Sequence, residues 1–140
     1  MKRFFVAAVL VLAVMFSLQP ALAGDKLDAV AVSVAESFLD LIDHQDYQAS
    51  WEQGSFMLQR EFSPQEWRRE LEPIRPLFGT PLSRSLIVLR QRERHPGYPD
   101  GQYALISFES TFSQKAQAVE TLLLVKEPDG EWRVLRYRFQ

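Results

Sequence analysis

Near Gly79 the apolar residues of this chain change their spacing, and that change limits the available folds more than any other feature. Upstream, Leu27, Val30, Ala31, Val34, Phe38, Leu41 and Ile42 recur at steps of three and four, the period of one helix face. Downstream, Ser83–Arg92, Gln102–Phe112, Lys115–Val125 and Glu131–Phe139 are extended runs rich in Val, Ile, Leu, Phe, Tyr and Thr. Turn residues separate them, as expected of strands. A helical block followed by a strand block predicts an α+β domain, with three helices packed on one face of a four-stranded antiparallel sheet.

Local signals set the boundaries. The first helix should run from Asp25 to near His44, with Asp28, Ser33, Glu36 and Asp40 on its polar side. A second should start at Tyr47, capped by Asp46, with Trp51 turned inward. Ser63-Pro64-Gln65-Glu66 combines a capping serine, a proline whose missing N–H costs nothing, and a glutamate that closes a capping box. Trp67, Leu71 and Ile74 follow at helical spacing, and Pro73 and Pro76 should end that helix before Gly79. Residues 96–101 read as a loop, Pro128-Asp129-Gly130 as a hairpin turn, and Ser113-Gln114 as a second hairpin link.

The chain has 140 residues, enough for one ordinary domain. Lys2 and Arg3 precede the apolar run Phe4–Leu18, then Pro20 and Ala21-Leu22-Ala23. This is the three-part pattern of a secretory signal, with cleavage expected after Ala23. The run is short for a membrane anchor, which needs about 20 apolar residues. The mature chain, 24–140, is therefore expected in the periplasm, free of stable membrane insertion. Without cysteine there is no lipid anchor, disulfide, thiol nucleophile or cysteine metal site, and the core must carry stability unaided. The mature segment holds 14 basic against 18 acidic side chains, a balance that argues against a nucleic-acid partner. Residues 24–82 carry 11 acidic and 5 basic groups, and residues 83–140 carry 7 and 9. Arg90, Arg92, Arg94, Arg133, Arg136 and Arg138 could form a basic stripe on the outer sheet, as edge protection or as an anion-binding surface.

Few residues offer chemistry. Asp40, Asp43, His44 and Asp46 cluster at a helix end, but their spacing matches no established metal loop. Only His44 and His95 could serve a nucleophile, and there is no Gly-x-Ser-x-Gly elbow. The six glycines are too scattered for a phosphate-binding loop. No cofactor and no metal is expected. Strand alternation puts Arg84 on the face of Leu86 and Val88, and Glu120 on the face of Ala118, Leu122 and Leu124. A buried Arg84–Glu120 pair is the simplest account, since a lone charge there would be costly. The alternative is that both line a cavity and orient a polar ligand. Tyr47, Trp51, Trp67, Phe108, Phe112, Trp132, Tyr137 and Phe139 either fill the core or line a pocket at the open end of the sheet.

An ordered series runs along almost the whole mature chain, from about Ala31 to Phe139. It comprises Asp46-Tyr47, Ser50-Trp51, Ser63 with Trp67 and Leu71, Pro76-Leu77 with Gly79, and Arg84. It continues through Pro96-Gly97, Pro99-Asp100-Gly101 with Tyr103, Phe108, Phe112, Lys115, Glu120 and Asp129-Gly130-x-Trp132-Arg133. In this series the chain resembles the bacterial domain-of-unknown-function 4019 family. It departs where Gly-Tyr is expected near the end and Arg136-Tyr137 stands instead. The family carries no assigned reaction, so no catalytic residue transfers. By analogy the resemblance implies the cone-shaped α+β fold, on a curved sheet, of cystatin-like, nuclear transport factor two-like and SnoaL-like proteins.

These readings converge on an exported, non-catalytic module that binds a small-molecule ligand or a protein partner, with Tyr47, Trp51, Arg84 and Glu120 as ligand-binding candidates. The competing reading is an enzyme of the SnoaL or ketosteroid-isomerase type, with Glu120 or Asp46 as general base in an apolar pocket. A third is a structural dimer associating through the open sheet face, so monomer and homodimer both stay open.

Overall fold

The computed structural model describes residues 21–140. The charged start and apolar run of the expected export signal lie outside the described residues. The elements follow as α1 (Ala21–Asp43), α2 (Tyr47–Glu52), α3 (Phe56–Glu61) and α4 (Pro64–Leu71), a 3₁₀ turn (Arg75–Phe78), then β1 (Pro81–Arg92), β2 (Tyr103–Phe112), β3 (Lys115–Lys126) and β4 (Trp132–Phe139). The strands form one open antiparallel sheet in the order β1-β2-β3-β4. The α+β class and the four antiparallel strands match the sequence reading, and the strand order makes the sheet a meander.

The helix count does not, for there are four α-helices among the described residues where three were expected. The extra one, α3, has six residues, too few to show a helical period. Its start is nonetheless encoded. Ser55 caps it by accepting from Leu58 N at 3.1 Å, and Leu58 is fully buried. The other caps form as read. Asp46 accepts from Ala49 N at the head of α2, and Ser63 and Glu66 close a capping box on α4.

The helices cover one face of the sheet. Ala31, Ala35, Phe38, Leu39 and Ile42 of α1 meet Ile106, Phe108, Leu122, Leu124, Val134 and Tyr137, with Tyr47, Leu58, Trp67 and Leu71 completing the core. On the opposite face Tyr103, Leu123, Val125 and Leu135 form a smaller cluster under Tyr98 of the 93–102 loop. A register shift between Leu123 and Leu124 makes Leu135 the extra residue of a bulge in β4.

The expected arginine stripe is instead spread over the two lateral strands. Arg90 and Arg92 lie on β1, while Arg133, Arg136 and Arg138 lie on β4, with two strands between. Several are engaged: Arg133 forks onto Asp129, Arg136 onto Glu61, and Arg94 reaches Asp100.

Candidate functional site

Arg84 and Glu120 do meet, across the intervening strand β2. Arg84 Nε donates to Glu120 Oε2 at 2.7 Å. The pair belongs to a larger network. Asp43, at the last turn of α1, accepts from both terminal nitrogens of Arg84 at 2.9 and 3.0 Å, and from Arg75. Ser110 of β2 donates to Glu120 Oε2 at 2.7 Å, and the Tyr137 hydroxyl donates to Oε1 at 2.8 Å. Glu120 is fully buried and Arg75 nearly so. Two cations thus alternate with two anions, and the Arg75 guanidinium lies 4.3 Å from the Phe112 ring centre.

The alternation makes the burial tolerable, since each charge faces opposite charge on more than one side. Burial alone would lower the Arg84 pKa, but its hydrogen bonds to Asp43 and Glu120 outweigh that and hold it above the ordinary arginine value. Burial pushes the Tyr137 phenol well above its ordinary 10.0, and the adjacent Glu120 charge pushes it further. Neither Glu120 oxygen is left without a donor, and Asp46 is spent on capping α2.

Sequence reasoning found Arg84, Glu120 and their contact, and missed Asp43, Arg75, Ser110 and Tyr137. Asp43 had been grouped with a helix-end acidic cluster. The other signal was an arginine just after Pro73, in a stretch ending at Gly79, where charge has no place unless it is paired. Among the described residues no hydrogen bond or ion pair joins Tyr47 or Trp51 to the network. Tyr47 is buried in the core, and its hydroxyl has no hydrogen-bond partner among the described residues. Half-buried Trp51 donates from Nε1 to the Phe62 carbonyl at 2.7 Å.

Two clefts flank the network. One, of about 560 Å³, is bounded by Asp43, Gln45, Arg75, Thr80 and Gln114. The other is a groove of about 640 Å³ between α4 and the free edge of β4. Phe62, Trp67, Leu71 and Ile74, with the acidic Glu61 and Glu70, form one wall, and Leu135–Gln140 of β4 with Val119 and Thr121 of β3 form the other. Buried hydrogen bonds fix the wall from behind. Trp51 holds Phe62, Ser50 accepts from Trp67 Nε1 at 2.9 Å, and Glu120 holds Tyr137. Ser50 in turn donates to the Tyr47 carbonyl. Trp51 and Glu120 therefore stand one residue behind the groove, and Tyr47 and Arg84 two, through Ser50 and Glu120.

Fold and site together define a small α+β domain with a charge-locked core and a preformed groove beside its last strand. The model of the family described as "Protein of unknown function (DUF4019)" matches residues 34–137, and the chain belongs to that family. No curated protein and no solved structure matches it.

Proposed function

We propose that this chain is an exported, non-catalytic binding module with a nuclear transport factor two-like cone fold, and that the groove between α4 and β4 is its working surface. The observation that carries this reading is the wall itself. Three separate side-chain hydrogen bonds, Trp51 to Phe62, Trp67 to Ser50 and Tyr137 to Glu120, hold it in place. A preformed concave surface with apolar walls and a few polar groups is what ligand sites generally offer. In this reading Tyr47, Trp51, Arg84 and Glu120 serve binding by keeping the groove rigid. The periplasmic address rests on the Lys2–Ala23 pattern.

The test is native mass spectrometry of the full-length chain expressed in a bacterium and recovered from the periplasm. The expected species begins at Gly24 and carries an adduct that is lost in Ile74→Asp, a change on the groove wall. An uncleaved chain found only in membranes would overturn the export reading. An adduct retained by Ile74→Asp would move the site away from the groove.

A further inference from the structure

The edge of β4 inside this groove is an incomplete sheet margin. Gln140 and Val119 exchange both backbone hydrogen bonds, at 3.0 and 3.1 Å. Alternation along an antiparallel ladder then turns Arg138 toward β3 and directs the N–H and C=O groups of Tyr137 and Phe139 outward, into the groove. Higher on the same edge these positions are already used by another segment. Ser55 N donates to the Val134 carbonyl at 2.8 Å, and Gly54 forms a parallel bridge with Val134. The stretch below, Leu135–Gln140, spans about 17 Å at roughly 3.3 Å per residue, the length of a five- or six-residue strand.

The geometry points to an extended peptide as the occupant, added as a fifth strand on β4; this rests on the groove being the working surface. Main-chain bonds to Tyr137 and Phe139 supply affinity, and alternate side chains of the peptide read the two sides of the edge. Those on the helix side meet the exposed Ile74 and half-buried Phe62, which lie over the buried Trp67 and Leu71, with Glu70 at the outer rim of the same wall. Those on the other side run beside Arg138, which is exposed. A carboxylate there forms a cross-strand pair with Arg138. The ligand class is thus a chain segment alternating apolar and acidic residues.

The test uses three probes on the full mature chain, followed by amide exchange in NMR spectra. They are an octapeptide alternating Leu and Glu, a block isomer with four Leu before four Glu, and an alkyl maltoside as a small apolar ligand. The alternating peptide should bind, slow exchange at the Tyr137 and Phe139 amides, and outcompete the block isomer. Arg138→Glu should weaken it on the order of fivefold, the range of an exposed ion pair, and Ile74→Asp should weaken it further. If the maltoside shifts the groove and the peptide does not, the groove reading survives and the peptide is wrong. Peptide binding without protection at Tyr137 and Phe139 also overturns strand addition. If no probe shifts groove resonances, both readings fail.

Discussion

Tyr137 shows at a single residue how this chain uses polarity inside its core. Its ring packs edge-on against Phe38, 6.1 Å between centres, while its hydroxyl donates to Glu120. The phenol is protonated in that bond, and burial followed by the Glu120 charge raises its pKa well above 10.0. The unfolded chain carries an ordinary tyrosine. Stability from this group is therefore fully present below about pH 10 and is lost as pH rises toward the folded-state value. Urea denaturation between pH 8 and pH 11 should show a fall beginning near pH 10 that is shallower in Tyr137→Phe. At neutral pH that variant should be less stable by about 1–3 kcal/mol, because it removes a donor from a buried carboxylate. Identical pH slopes for the two proteins would remove Tyr137 from the alkaline transition.

At the scale of elements, the turns divide into those fixed by backbone angle alone and those fixed by packing. Gly130, between β3 and β4, has φ of 85° with open space where a Cβ would go. Gly79, before β1, has φ of 78°, and a Cβ there would lie 2.1 Å from Ser113 Oγ in the β2–β3 turn. Gly130→Ala should cost about 1–2 kcal/mol, the price of a left-handed conformation. Gly79→Ala should cost clearly more, since it also displaces the turn bonded through Thr80 and Phe78. Equal losses in chemical denaturation would show that the Ser113 contact yields freely. The Gly130 turn was legible because Pro-Asp-Gly states its own geometry, and the capping box at Ser63 was legible for the same local reason. Helix α3 was not, because six residues hold less than two turns of pattern. The β1 boundary moved to Pro81, because pairing with Phe112 across a bulge extends the strand beyond its β-rich run.

Across the whole molecule, one network holds the layers together. Asp43 closes α1, Arg75 opens the 3₁₀ turn, Arg84 sits in β1, Ser110 in β2, Glu120 in β3 and Tyr137 in β4, so six elements meet at four charges. Alternation along strands exposed the Arg84–Glu120 half of this network to sequence reasoning, although a bulge between Leu86 and Val88 turns Val88 to the other face and brings Leu89 to the core in its place. The Asp43–Arg75 half was hidden, since nothing local says that a helix end and a turn 32 residues later converge. That division gives the network a specific energetic signature. Glu120→Gln leaves buried Arg75 and partly buried Arg84 facing Asp43 alone, and Arg84→Met leaves two anions facing Arg75 alone. Each should cost about 3–5 kcal/mol, the usual loss when one partner of a buried pair is removed. The double variant keeps Asp43 with Arg75 and restores charge balance. It should therefore be more stable than the sum of the single losses implies, by about 1–3 kcal/mol in urea denaturation at neutral pH. Additivity within about 0.5 kcal/mol would mean that Arg84 and Glu120 are each held by their other neighbours, and that the network is a set of independent contacts. A coupling of the expected size would mean that the helical layer and the sheet are locked by one shared balance of charge, which keeps the groove wall rigid without a disulfide.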